Sequence, residues 1–164
     1  ARIMPIKFLD AAASGTTTNA ILAIQYATQM DAGIMSNSWG GYGYSQALKD
    51  AIAAAHEAGV IFVAAAGNNG SNNDLMPHYP SSYEVPNIIA VAATDYNDEL
   101  ALFSNYGLNS VDLAAPGVLI LSTVLDNNYT YKSGTSFSKT PRDQVSLQVT
   151  TRLPEWGSAP TVHR

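Results

Sequence analysis

With 164 residues, no cysteine and a net charge of -5, the chain can build one hydrophobic core but cannot use disulfides, thiolate metal sites or a cysteine nucleophile. Hydrophobic residues make up 46% and charged ones 13%, without the concentrated Lys and Arg that nucleic acid or an anionic membrane surface demands, so neither is expected as a partner. No run approaches the roughly 20 apolar residues of a membrane span, and Ala1-Arg2-Ile3-Met4-Pro5 has no signal-peptide layout.

In chain order, residues 3–9 read as a strand, closed by Asp10 and by the small polar residues of 11–18, which compete for backbone hydrogen bonds. From about 19 to 32, Ala20, Ile21, Ile24 and Ala27 recur at three- and four-residue spacing, and Gly33 stands where a left-handed helix cap is wanted. A second helix repeats the grammar, with Ser45 as N-cap, Leu48, Ile52 and Ala55 as its buried stripe and Gly59 as its stop. The runs 34–38, 60–66, 88–93 and 118–122 are short and apolar without clean alternation, which suits strands buried on both faces. This succession predicts an α/β fold: a doubly wound, mainly parallel sheet with right-handed crossovers and helices on both faces. Ligands on such sheets gather beyond the strand carboxyl ends, here the loops 38–44 and 67–80, both rich in Gly and Asn. No internal repeat and no coiled-coil heptad is present.

Two segments carry chemistry. Ser133-Gly134-Thr135-Ser136-Phe137-Ser138 follows a loop and should open a helix, placing Ser136 where backbone N–H groups favour negative charge. A hydroxyl is a weak nucleophile at its own pKa, so it also needs a base within hydrogen-bond reach and donors aimed at the developing oxyanion. Asn68 is a candidate donor, because Val63-Ala64-Ala65-Ala66-Gly67-Asn68-Asn69-Gly70 ends an apolar strand in a glycine turn. Taken singly, each segment is commoner as a plain turn or loop, and it is their combination that points to chemistry.

In this order the two segments resemble those of the subtilisin-like serine proteases. The resemblance extends to Ser36-Asn37-Ser38-Trp39-Gly40-Gly41, Tyr79-Pro80-Ser81-Ser82-Tyr83, Val91-Ala92-Ala93-Thr94-Asp95, Phe103-Ser104-Asn105-Tyr106-Gly107 and Asp112-Leu113-Ala114-Ala115-Pro116-Gly117. It implies a subtilisin-like fold and a serine endopeptidase acting on polypeptides, with Ser136 as nucleophile and Asn68 in the oxyanion hole. It also implies that Ser38-Trp39-Gly40 and Ala65-Ala66-Gly67 form two walls of the pocket for the side chain preceding the scissile bond. Glycine leaves such walls open and their backbone free to pair with an extended peptide; for Trp39, plain packing is an equal alternative. By the same resemblance the protein is expected to be secreted. Calcium is common in the family, near the segment matching 78–82 and an acid matching Asp95, although a polar loop explains those residues as well. No metal ligand is assigned from the sequence, and a monomer is expected.

Serine acyl transfer also needs a histidine base and an acid to orient it. His56 lies inside a helix, His78 in a polar loop and His163 beside the C-terminus, and none has the family's His-Gly-Thr context. Asp10 ends a strand, but Ala11-Ala12 follows in place of Ser/Thr-Gly. The expectation is a chain truncated at its N-terminus, with the acid and base in a missing portion and no appreciable activity alone. Residues 1–139 then form a partial catalytic domain and 140–164 an atypical tail. Thr140-Pro141-Arg142-Asp143 replaces the family's Pro-His-Val, as one extra base after Lys139 would produce, and Val145, Leu147 and Val149 alternate at a strand's period. The rival reading is a non-catalytic α/β peptide-binding module. A nucleotide-binding domain is disfavoured, since neither Gly-x-Gly-x-x-Gly nor a Walker loop is present.

Overall fold

Short apolar runs set between capped helices pair as their succession suggests. A computed structural model of the chain describes residues 2–138; the tail 140–164, its alternating valines and leucine, and His163 lie outside the described residues. Strands β1 (Ile34–Asn37), β2 (Ile61–Ala65), β3 (Ile88–Thr94) and β4 (Leu113–Pro116) form one parallel sheet in the order β1-β2-β3-β4. The register sets Met35 opposite Phe62, Phe62 opposite Ile88 and Val91 opposite Leu113.

Side chains alternate across the sheet, so this register sorts the core into two faces. Met35, Phe62, Ala64 and Ile88 point to one face, where α1 (Thr17–Gln29) lays down Ala20, Ile24 and Ala27, and α2 (Gln46–Glu57) lays down Leu48, Ile52 and Ala55. Val63, Val91 and Ala115 point to the other. The helix that carries Ser136, α3 (Thr135–Ser138), begins on that second face: the space beside Gly117 is shared by Ala93, Ser138 and the Gly134 carbonyl, and Ala93 has the same parity as Val91. Helices on both faces were the expectation, and the architecture agrees.

Local chemistry accounts for the element ends and for where they depart from expectation. The Ser45 hydroxyl accepts the Leu48 N–H at 3.3 Å, and Gly59 takes the left-handed conformation (φ +77) just past α2. α1 starts at Thr17 rather than 19, because the Thr16 hydroxyl accepts the Asn19 N–H at 3.1 Å. It ends at Gln29, with the left-handed turn taken by Asp31 (φ 55) instead of Gly33.

Two strand expectations are corrected. Residues 3–9 enter no ladder, since a strand exists only with a hydrogen-bonding partner and none among the described residues pairs with them. Ile3 is 92% exposed there, while the Phe8 ring sits edge-on to Trp39 at 5.3 Å. Residues 118–122 do not form a buried parallel strand. The chain instead folds back at Asp126 (φ 62) and Asn127 (φ 55), residue types that tolerate left-handed backbone, into an exposed antiparallel hairpin of β5 (Ile120–Val124) and β6 (Asn128–Lys132). The fourth parallel strand is the preceding Leu113–Pro116, on the sheet edge, where a proline costs no ladder bond.

Phe62 is fully buried between the sheet and both long helices. Phe62→Ala is expected to lower the unfolding free energy by about 3–5 kcal/mol in urea titrations, a cavity's cost in a close-packed core.

Candidate active site

The loop leaving β1 is aimed by a buried asparagine. Asn37 donates its amide to the carbonyls of Met35 (3.2 Å) and Val63 (3.3 Å), and its Oδ1 accepts the Trp39 indole N–H at 3.2 Å. Trp39 is thereby held half-buried, packed on Phe8 on one side and bordering a cavity of about 570 Å³ on the other. Packing and wall are one role for this residue. Ser38, Gly40 and Gly41 continue the same wall.

The loop leaving β2 turns at Gly67, whose φ of +114 suits glycine and whose missing Cβ makes room for the Asn105 amide. Asn105 is fully buried and satisfies the turn from within. Its Oδ1 accepts the N–H groups of Asn69 (2.8 Å) and Ser71 (3.2 Å), and its Nδ2 donates to Asn73 Oδ1 (3.0 Å). Asn73 in turn donates to the Ala66 carbonyl at 2.9 Å. Asn68 is left at the exposed crest of the turn.

Ser136 arrives from the other sheet face. The Gly134 N–H donates to the Gly117 carbonyl at 2.8 Å and the Phe137 N–H to the Gly134 carbonyl at 3.0 Å, fixing the start of α3. Thr135, fully buried, donates its N–H (2.8 Å) and its hydroxyl (3.0 Å) to Asn68 Oδ1, while that hydroxyl accepts the Gly67 N–H at 3.3 Å. A backbone N–H can only donate, so the Asn68 atom facing it is the oxygen and Nδ2 lies on the far side of the amide. The Ser38 hydroxyl donates to the Ser136 carbonyl at 3.4 Å, closing the ring of loops.

Ser136, Asn68, Ser38, Trp39, Gly40, Ala65 and Gly67 all border the one cavity. Ala66 does not: it is fully buried behind the wall, its carbonyl taken by Asn73. Sequence reasoning gave no role to Thr135, Asn105 or Asn73, although the first two lie inside the quoted motifs. An asparagine or threonine in a run of small residues carries no mark of the bond it will make. The histidines divide differently: His56 sits in the last turn of α2, whereas His78 borders the cavity. Among the described residues neither hydrogen-bonds the Ser136 hydroxyl. Asp10 closes its own turn, accepting the N–H groups of Ala12 (2.9 Å) and Ser14 (3.0 Å).

The sequence pattern of the Subtilase family matches residues 1–141. The chain belongs to that family. It is 44% identical over 137 residues to the thermophilic serine proteinase of Bacillus sp. (strain AK1), covering 84% of this chain and 33% of that protein. It is 42% identical over 138 residues to thermitase of Thermoactinomyces vulgaris, covering 84% and 47%. Among solved structures, a cold adapted subtilisin-like serine proteinase superposes with a TM-score of 0.71 at 36% identity, covering 80% of this chain and 47% of that one. The chain thus spans between a third and a half of these relatives.

Several oxygens of the segment that a subtilase resemblance associates with calcium accept hydrogen bonds. The His78 carbonyl accepts from Ser81 Oγ and the Ser82 N–H, the Tyr79 carbonyl from the Gly41 N–H, and the Pro80 carbonyl from the Tyr83 N–H. Asp95 Oδ1 caps its own turn through Asn97 and Glu99. No three His, Cys, Asp or Glu side chains converge among the described residues. No helix among the described residues is long and apolar enough to cross a membrane.

Two outcomes follow from the buried polar groups. Thr135→Val keeps the shape but strips the Gly67 N–H of its acceptor and Asn68 of a donor, and should cost about 1–3 kcal/mol in urea titrations, with Thr135→Ser recovering most of it. Burial holds the His78 pKa below its ordinary 6.5, because the charged ring would lose its hydration. As pH falls through 6.5 the unfolded chain therefore takes up the proton first. Stability, full above 6.5, should decline below it by less than one proton's worth of slope, and His78→Gln should flatten that part of the stability–pH curve.

Proposed function

We propose that this chain is the nucleophile-bearing part of a serine endopeptidase, with residues 1–139 belonging to its catalytic domain. The observation that carries the reading is that Ser136 and Asn68 border one cavity and are joined through Thr135. In the proposed reaction Ser136 Oγ attacks the carbonyl carbon of a peptide bond, and its proton passes to a base. The oxyanion takes hydrogen bonds from Asn68 Nδ2 and from the N–H of Ser136, a first-turn group with no intrahelical acceptor. The base hands that proton to the nitrogen as the C–N bond breaks, so the amine leaves neutral, and water, giving a proton to Ser136 Oγ through the same base, hydrolyses the acyl-enzyme to the free acid.

The substrate is read as an extended polypeptide lying between the walls 38–40 and 65–67, with the side chain before the scissile bond reaching between them. Trp39, which borders the cavity, supports that reading, as does β1, which among the described residues pairs on one side only and keeps its other backbone edge free. The base and its orienting acid are assigned to parts of the protein outside this chain. Secretion, a monomeric state and calcium binding accompany the reading through the family.

A non-catalytic peptide-binding module is the second reading. The absence of a histidine bonded to the Ser136 hydroxyl among the described residues favours it. Activity separates the two. The 164-residue chain should hydrolyse a chromogenic peptide only at the residual rate that oxyanion stabilisation and binding provide. Turnover that Ser136→Ala abolishes would show a base within the chain. In a protein carrying the complete catalytic domain, a fluorophosphonate should label Ser136; inertness there would leave the binding module.

A further inference from the structure

His78 is a buried, polar member of the groove that the proposed chemistry does not use. It is only 8% exposed, and its main chain is tied down by Ser81 and Ser82: its N–H donates to Ser82 Oγ at 3.1 Å and its carbonyl accepts from Ser81 Oγ at 2.7 Å. The ring is braced edge-on by Tyr42, with centroids 5.6 Å apart. It stands between the two glycines of the opposing walls. A Cβ on Gly40 would collide with Cε1 and lie 3.1 Å from Nδ1, and one on Gly67 would lie 3.3 Å from Cδ2. Nε2 is bonded to both Cε1 and Cδ2, so it occupies the gap between the walls. Gly40 makes room for one edge of the ring, and Gly67, whose side-chain space is taken by the Asn105 amide, borders the other.

The other nitrogen, Nδ1, is buried with no hydrogen-bond partner. A buried N–H with no acceptor is rarer in proteins than an under-used acceptor, and leaving a donor unmade costs about 1–3 kcal/mol. The arrangement with less strain leaves Nδ1 bare and puts the proton on Nε2. Burial keeps the ring neutral, so what faces the gap is a single neutral N–H donor, set among glycines and aromatic edges.

We propose that His78 is the specificity contact of this groove: its Nε2–H selects a substrate side chain ending in an oxygen acceptor, the carboxamide of Gln or the carboxylate of Glu, over an aliphatic one of similar length. This deepens the peptide-groove reading and rests on it. An aliphatic side chain in the same place would bury the N–H without a partner, and a site built to hydrogen-bond discriminates against ligands that cannot answer.

The test uses the whole 164-residue chain with 15N-labelled histidine. It is titrated with four N-acetyl tetrapeptides identical except for a C-terminal Gln, Glu, Met or Leu. The Gln and Glu peptides should bind about tenfold more tightly than the Met and Leu ones, the scale of one net hydrogen bond. They should also shift the 15N resonance of His78 Nε2, which the aliphatic peptides leave in place. His78→Phe, which fills the space without a donor, should level the four affinities by weakening Gln and Glu alone; if that variant does not fold, the wild-type series decides by itself. Equal binding of all four peptides, or a preference that survives in His78→Phe, overturns the specificity role and leaves the groove standing. Failure of every peptide to bind overturns the groove reading and this inference together.

Discussion

The fully buried side-chain amide of Asn105 is the constraint on which the rest of the site depends. A chain leaving a parallel strand must find partners for several backbone groups at once, in a place where water cannot supply them. Asn105, from a segment nearly forty residues further on, supplies them to the turn after β2: two N–H groups on its oxygen, and Asn73 on its nitrogen. Asn73 relays the connection back to the Ala66 carbonyl. A half-satisfied network of this kind would be worse than an apolar core, so its completeness is what makes the turn rigid. Gly67 is its necessary counterpart, since any side chain there would stand where the Asn105 amide stands.

Rigidity at the turn passes directly to Asn68. Its amide could rotate by half a turn with little change of shape, and the two orientations would offer a ligand opposite chemistry. Thr135 removes the choice, because its N–H and hydroxyl both present protons to the same oxygen. The donor side of the amide is thereby fixed before any ligand arrives, the preorganisation on which oxyanion stabilisation relies. The same threonine begins the helix that carries Ser136. One residue therefore sets the angle between the two groups that the proposed reaction needs.

What could be read from residues alone follows the range of the forces involved. The helices and their stops were legible because caps and buried stripes act within four residues: Ser45, Gly59 and the Leu48, Ile52, Ala55 row stand where spacing puts them. Strands β1 to β3 were legible as apolar runs, and the loops at their carboxyl ends followed from parallel pairing. β4 was missed since Leu113-Ala114-Ala115-Pro116 is short and ends in proline, and becomes a strand only because β3 offers it an edge. The more β-like 118–122 was read as part of the sheet, but two left-handed residues at 126 and 127 send it into its own hairpin. Segment 3–9 failed in the opposite way: its composition is that of a strand, and no described neighbour completes the ladder. The shared cavity of Ser136 and Asn68 was anticipated from two motifs, whereas Thr135, Asn105 and His78 act through contacts made 11 to 68 residues away in the chain, and no local pattern marks such partners.

The precision of the site comes finally from the apolar register. Ser38 and Gly67 lie just beyond the carboxyl ends of β1 and β2, whose last pair is Asn37 opposite Ala64. A slip by one residue would exchange Phe62 with Val63 between the two faces, forcing a large ring into the face that Val91 and Ala115 fill. It would also turn Asn37 away from the Val63 carbonyl that it bonds, and release Trp39 from the wall. Core volumes differ enough between Phe62 and Val63 that such a slip is costly, and the walls inherit their alignment from that cost. The polar network decides how the loops bend, but the choice of which residues reach the groove is made below it, by the hydrophobic side chains of two neighbouring strands.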